Sequence, residues 1–365
     1  MQRRWIALGY LAIGLAGAGW SADRVTQNVI LVMSDGLRWQ EIFGGAEASL
    51  MDKQPGGVED PAELRKAYWR ETAEARREAL MPFVWSVMAR QGQVWGNRRA
   101  GSEAWVTNGL NFSYPGYNET LTGAPDPRVK SNDKILNPNV TVLEWLNGKP
   151  AYRGKVAAFG SWDVFPFIFN AQRAGFLVNA GYDPLTVPPV TPAIALLNRV
   201  KGETRVWGDE VYDSFLFHTA LEYVKLHKPR VLFIGLGDTD DFAHEGRYDL
   251  YLDAAHRADA YVRELWETLQ SMGEYRGKTA LIFLPDHGRG EGAEWKNHGE
   301  KIPDSKYIWI GFLGPEVRPL GERKGASPVT QSQIAATLAA MLGEDYAAAV
   351  PKAGKAIAEV LRRDN

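Results

Sequence analysis

No cysteine occurs in the 365 residues, which excludes disulfides and thiolate metal sites. A basic excess is also missing: 42 Lys and Arg stand against 44 Asp and Glu, a formal net charge of −2. Nothing in that balance neutralises a phosphate backbone, so binding of a nucleic-acid duplex is not expected. Internal repeats and low-complexity tracts are absent, and no long apolar run follows the N-terminus. Histidine is scarce, with six in the chain. What remains is a 45 % hydrophobic composition, enough for a large core, at a length that suits one big domain or a domain with an insertion.

Met1 to Ala22 read as an export signal: Arg3 and Arg4 form a positive start, Trp5 to Leu15 an apolar stretch, and mostly small residues from Ala16 to Ala22 a cleavage zone. An uncleaved anchor is disfavoured because the apolar stretch is shorter than the ~20 residues of a spanning helix. With no cysteine after it, a lipid anchor has nothing to attach to. The mature chain, 23–365, is therefore expected to be exported, periplasmic or secreted, without stable membrane insertion.

Strand-like runs alternate with helix-like stretches, the pattern of βαβ units around a mostly parallel sheet. Strands are expected over 28–34, 155–160, 230–236, 279–284 and 306–312. Apolar spacings of three and four predict helices over 211–227 and 251–272, and 330–342 is apolar enough to be covered on most sides. Residues 44–99, with early Pro and Gly signals and the charged run Glu63 to Glu78, are expected to form a helical insertion near the site entrance. A second irregular region, 160–192, is rich in proline and aromatics.

Three of the expected strands run into acidic or histidine motifs. Val32-Met33-Ser34-Asp35-Gly36 ends the first, Asp240-Asp241-Phe242-Ala243-His244 follows the third, and Pro285-Asp286-His287-Gly288 ends the fourth, with His298 shortly after. Open α/β sheets bind ligands at the carboxyl ends of their strands, so these motifs are expected to meet. Asp240 and His244 stand four apart, on one face of a helical turn. A sulfur-free Asp/His set of this size suits two divalent ions, zinc best and manganese as an alternative, whereas calcium or magnesium rarely recruits three histidines. Ser113, in Asn111-Phe112-Ser113-Tyr114-Pro115-Gly116-Tyr117, is placed by Pro115 at or just before a helix N-cap. It can serve there as a plain cap, or as a nucleophile where helix N–H groups favour a phosphoryl group.

Together these ordered motifs resemble the alkaline phosphatase superfamily, and most closely its type I phosphodiesterase and nucleotide pyrophosphatase branch. The resemblance spans about Asn28 to Leu342 and implies a three-layer α/β sandwich with a mostly parallel central sheet. It further implies that Asp35, Ser113, Asp286 and His287 hold one metal, that Asp240, His244 and His298 hold the other, and that an asparagine contacts a phosphoryl oxygen. Asn132 lies near the expected place for that asparagine, with Asn137 and Asn139 as competitors. The departures are that the branch usually has Thr followed by Phe-Pro-Asn where this chain has Ser-Tyr-Pro-Gly, and that the stretch between Asp35 and Ser113 is long. Sulfatases of the same fold need an arginine four residues after the nucleophile, and Tyr117 stands there instead.

The resulting expectation is a two-metal hydrolase of small-molecule phosphate esters, acting through a covalent phosphoseryl intermediate on diesters or nucleotide pyrophosphates. A phosphomonoesterase, a phosphotransferase and a non-catalytic exported zinc-binding protein are the alternatives. Arg38, Lys155 and Arg173 are the cations that a dianionic monoester would use, and Trp162, Phe165 and Phe167 the aromatics that would hold a diester's second group. His218, His227 and His256 receive no chemical role.

Overall fold

The computed structural model describes residues 25–361. The expected export signal over 1–22 lies outside the described residues. Asn28–Ser34 (β1) is buried at every position and is the centre of an eight-stranded sheet. Along the chain follow the short helix Trp39–Gly44 (α1), then Pro61–Tyr68 (α2), Ala73–Leu80 (α3), Gln93–Trp95 (β2), Ser113–Thr122 (α4), Val142–Asn147 (α5), Val156–Gly160 (β3) and Leu177–Ala180 (β4). The second half adds Pro192–Glu203 (α6), Asp213–His227 (α7), Val231–Leu236 (β5), Asp238–His244 (α8), Tyr248–Ser271 (α9), Thr279–Leu284 (β6), Ile310–Leu313 (β7), Gly321–Glu322 (β8) and Ile334–Met341 (α10).

The sheet order is β4-β3-β5-β1-β6-β7-β2-β8. The first five strands run parallel, while β7 is antiparallel to both β6 and β2. Alternation along β1 splits the core. Ile30 and Val32 pack with α7 and α9, whereas Val29, Leu31 and Met33 pack with α4, α5 and α10. This is the expected three-layer α/β sandwich with a mostly parallel sheet.

Two regions differ from the sequence expectation. Residues 93–95, inside the segment expected to be a helical insertion, form a strand of the central sheet between β7 and β8. Three residues are too few for any alternation to show. Most of the same segment lies along α9 rather than at the site: Tyr68 donates to Asp253 (2.7 Å), the Leu80 carbonyl meets His256 Nδ1 (2.7 Å), and the Phe83 and Val84 N–H groups donate to buried Asp259 (2.7 and 2.9 Å). Its two ends approach the site: Gly57 packs on the Gly246 carbonyl, Pro55 accepts from the Trp295 indole, and Arg98 follows β2 at the edge of the sheet that carries Asp35. The irregular region 160–192 supplies β4, whose first two residues are only half-buried and show no clear pattern.

The loop after β1 is tied down by a buried charge cluster. Arg38 and Glu41, both inaccessible to solvent, form an ion pair. Tyr248 and Tyr251 of α9 donate to the Glu41 carboxylate (2.9 and 3.3 Å), and Arg38 Nη1 donates to the Gly290 carbonyl (3.0 Å). Removing one member of such a pair strands the other charge in the core. Glu41→Ala should therefore cost about 3–5 kcal/mol of stability, read as a lower urea midpoint, and an unchanged midpoint would show that the cluster contributes nothing.

Candidate metal and nucleophile site

Parallel pairing carries β5, β1 and β6 to the same edge of the sheet. Ser34 is level with Leu236, and Met33 with Leu284. Each strand then releases a carboxylate at that edge: Asp35 directly, Asp286 directly, and Asp240 one turn into α8. The start of α8 is fixed by reciprocal capping, in which Asp213 accepts from the Gly237 and Asp238 N–H groups (2.7 and 3.2 Å) while Asp238 accepts from Asp213 N–H (3.0 Å). Two glycines permit the crowding. Gly36 has φ 59°, and a Cβ there would lie 2.7 Å from Arg289 and Asp240; a Cβ on Gly116 of α4 would lie 2.4 Å from the Asp286 carbonyl.

All seven residues expected to hold metal are brought together. One group is Asp35, Asp286 and His287, all buried, with His287 Nε2 at 3.2 Å from Asp35 Oδ1 and 3.4 Å from Asp286 Oδ2. A second is Asp240, His287 and His298, with Asp240 Oδ1 at 3.9 Å from both imidazole Nε2 atoms. His244 joins it, its Nε2 at 2.9 Å from His298 Nε2 and 3.1 Å from Asp240 Oδ2. His287 thus lies between the two groups. Ser113 Oγ is 3.5 Å from His287 Nε2, at the first residue of α4. The N-cap position is Phe112, so Ser113 is not the helix cap.

The donor atoms fit divalent cations. Each carboxylate in the first group has one oxygen satisfied by the protein, since Tyr117 donates to Asp35 Oδ2 (3.0 Å) and Gly36 N–H to Asp286 Oδ1 (3.0 Å). The other oxygens, Asp35 Oδ1 and Asp286 Oδ2, are buried without a hydrogen-bond partner and face the same imidazole nitrogen. Outer contacts also fix the rings: Nδ1 of His287 meets the Gly288 carbonyl (2.9 Å) and Nδ1 of His298 the Asn111 carbonyl (3.1 Å). A proton on each Nδ1 turns both Nε2 lone pairs into the site. Lone pairs of two imidazoles and three carboxylates at these separations need positive charge between them.

Without a metal, that charge is partly protons. Burial disfavours charged His287, yet Asp286 and Asp35 outweigh it and push its pKa up to about 9. Burial and the neighbouring Asp35 charge drive Asp286 well above the usual carboxylate range, while for Asp35 the contact with His287 more than offsets burial and lowers the pKa. Burial lowers both His244 and His298, so these two are neutral and ready to ligate. Arg289, fully buried and bonded to Asp240, is a further cation that sequence reasoning missed. Its position just after Asp286-His287-Gly288 is the one available signal.

Asn132 is exposed beside Ser113. Its Oδ1 accepts from Tyr114 N–H (3.0 Å), leaving Nδ2 without a partner among the described residues. Asn137 and Asn139 instead bond Asn118 (3.2 and 3.1 Å), within the fold. The other cations fail the expectation placed on them. Arg38 is consumed by Glu41, Arg173 is paired with Glu144 (2.7 Å), and Lys155 lies at the opposite end of the sheet, where its carbonyl accepts from Arg230 N–H. Phe165 is not a wall of the site either; it fills the space above Gly160 and Gly235, and packs on Tyr117 and Phe233. Trp162 remains partly exposed, its indole N–H on Asp209 (3.2 Å), and the Phe167 carbonyl is used by Asn137 N–H (2.9 Å).

Scanned by sequence, the chain matches no protein-family model and no curated protein. Among solved structures it is similar to the alkaline phosphatase PafA, with a TM-score of 0.59 at 10 % identity over 94 % of this chain and 100 % of that one. It is similar also to the lipoteichoic acid synthase LtaP of Listeria monocytogenes (TM-score 0.57, 13 % identity, 88 % and 73 % covered). A third is murine ectonucleotide pyrophosphatase/phosphodiesterase 5, solved with AMP (TM-score 0.53, 11 % identity, 88 % and 96 % covered). The chain therefore has the alkaline phosphatase superfamily fold, which these three share.

Two outcomes follow for the site. Ligation needs neutral His287, and its proton is held up to about pH 9, so affinity for Mn²⁺ should rise roughly tenfold per pH unit between 7 and 9 with proton release. Calorimetric titration in buffers of different ionisation enthalpy reads this, and a pH-independent affinity would contradict it. Tyr117→Phe removes the donor to Asp35 and should weaken metal binding about 10–100-fold, measured by competition with a chromophoric chelator; unchanged affinity would show that Tyr117 does not position Asp35.

Proposed function

We propose that this chain is an exported two-metal hydrolase of phosphate esters, with Ser113 as its nucleophile and phosphodiesters, including nucleotide pyrophosphates, as its preferred class. The observation that carries the reading is the placement of Ser113 Oγ. It is freed from a capping role, set at the N-terminal end of a buried ten-residue helix, and 3.5 Å from the imidazole that joins the two ligand groups. A site built only to store zinc has no use for a hydroxyl there. The names of the similar structures, a phosphatase, a phosphodiesterase and a polymer synthase, point to the same general chemistry.

In this reading Asp35, Ser113, Asp286 and His287 would hold one ion, zinc or manganese, and Asp240, His244 and His298 the other. When bound, the ions supply the positive charge that lets Ser113 ionise near neutral pH and that offsets charge building on the phosphoryl group. Ser113 Oγ attacks phosphorus in line, forming an Oγ–P bond as the P–O bond to the alcohol breaks. The departing alkoxide takes a proton from water, and a second water then attacks the phosphoserine, which still carries the other alcohol, from the vacated side, releasing the phosphate monoester and leaving one of its protons on Ser113 Oγ. The α4 N-terminus favours the anionic group that Ser113 engages, and Asn132 Nδ2 is free to donate to a phosphoryl oxygen.

Diesters are favoured over monoesters by charge. A dianionic monoester calls for further cations, and Arg38, Lys155 and Arg173 are all spent or remote. Ser113→Ala should keep its metal yet lose turnover of bis-para-nitrophenyl phosphate on the order of 10³-fold or more, with the wild type preferring that diester to para-nitrophenyl phosphate in kcat/KM. Wild-type turnover in the variant would remove Ser113 from the mechanism, and a monoester preference would reverse the substrate class.

A further inference from the structure

Because β2 is antiparallel to β7, and β7 antiparallel to β6, the carboxyl end of β2 lies at the same edge of the sheet as Asp35 and Asp286. The chain leaves β2 through Gly96 and turns at Arg98–Ala100, opening a groove of about 440 Å³. Its walls are Trp39, Arg98, Arg99, Glu103, Glu291 and Asp304. Two of these lie close in sequence to candidate ligands: Trp39, the first residue of α1, follows Asp35 by four residues, and Glu291 follows His287 by four. A third link is direct packing. Gly288 lies against the Tyr307 carbonyl so closely that a Cβ would come within 2.1 Å, and the Arg98 guanidinium lies 3.5 Å above the Tyr307 ring.

The wall chemistry narrows what the groove holds. Two guanidiniums face three carboxylates, leaving a negative excess of one, which disfavours a second anionic group. Donors and acceptors are interleaved but incompletely paired: Arg98 stands 3.8 Å from Glu103 and 3.5 Å from Asp304, and Glu291 is 3.4 Å from Gln40. Arg98 Nε and the indole N–H of Trp39, a residue only 3 % exposed, are buried without a hydrogen-bond partner. Arg99 is exposed, its guanidinium 5.2 Å from the Trp39 ring. Adjacent hydroxyls each donate and accept, so a diol can address a carboxylate and a guanidinium side by side.

We infer that this groove binds a sugar ring through a vicinal diol, as the alcohol that stays on phosphorus when a diester is cleaved at Ser113. The inference rests on the phosphodiesterase reading only for its link to turnover, because sugar binding is measurable by itself. The same diol chemistry belongs to a hexose of a glycan and to the ribose of a nucleotide.

The experiment uses the metal-loaded full chain and three para-nitrophenyl phosphodiesters whose second alcohol is ethanol, the 6-hydroxyl of methyl glucoside or the 5-hydroxyl of methyl riboside. At least one sugar ester should exceed the ethyl ester by about tenfold or more in kcat/KM, mainly through KM, and the better of the two identifies the source. Arg99→Ala and Glu103→Gln should each reduce that sugar ester to the ethyl level while ethyl ester turnover stays within about twofold. Equal rates for all three esters in the wild type, or a preference that survives both substitutions, would overturn the sugar site. If no ester is cleaved, the hydrolase reading fails, and saturation-transfer NMR with methyl glucoside and methyl riboside decides the groove separately. A signal in the wild type that both variants lose supports it, and no signal in the wild type rejects it.

Discussion

Three carboxylates at one end of a buried sheet repel each other, and much of the surrounding architecture answers that repulsion. Asp35, Asp240 and Asp286 reach the edge because β1, β5 and β6 are adjacent, parallel and in register. Charge of one sign this dense in a low-dielectric setting requires a counter-charge nearby. The protein provides part of it: a proton on His287, the guanidinium of Arg289 on Asp240, the hydroxyl of Tyr117 and the N–H of Gly36. Two carboxylate oxygens still lack a hydrogen-bond partner, and both face His287. The site is therefore built around positive charge that its own side chains supply incompletely, which is the electrostatic definition of a cation site.

The framework holds these groups against their repulsion with contacts remote from the chemistry. Arg38 links the loop after β1 to Gly290 in the loop after β6, while its partner Glu41 is held by two tyrosines of α9. Glu119 does the equivalent on the nucleophile side, gathering the N–H groups of Thr107 and Asn108 and the hydroxyl of Ser332 and so fixing the approach to Ser113. Close backbone passage at Gly36 and Gly116 lets α4 and the β1 loop sit almost on the carboxylates. An added methyl would press on Asp240 and Arg289 at Gly36, and on the Asp286 backbone at Gly116.

The parts of the fold that were legible share a property: their pattern is local. β1 and β6 are mostly apolar runs that stop at Asp or Pro-Asp, and both have the bounds that the sequence suggests. Among the residues the structure brings together, Asp35, Asp240, Asp286 and His287 each lie within four residues of a strand end, with His244 one helical turn beyond Asp240. Illegible features depend on partners far along the chain. Phe165 looked available for substrate, but it fills room left by Gly160 and Gly235, and the latter is seventy residues away. Arg38 looked available for phosphate until α9 folded two tyrosines onto its partner. β2 has three residues, and only β7 and β8 on either side make it a strand.

Assembly of the site and stability of the fold are then one problem viewed twice. The candidate ligands come from residues 35, 113, 240–244 and 286–298, so the site exists only after segments more than 250 residues apart have packed, and the loop-closure entropy of that arrangement opposes it. Once packed, the carboxylates oppose it as well. A cation that binds the folded chain but not the unfolded one acts against both terms, by an amount set by its concentration relative to its dissociation constant. Binding of such a cation at this acidic edge would therefore be coupled to folding. Residues such as Arg289 and Tyr117, which touch the ligands without being among those expected to hold an ion, set how much of that cost the metal-free protein bears.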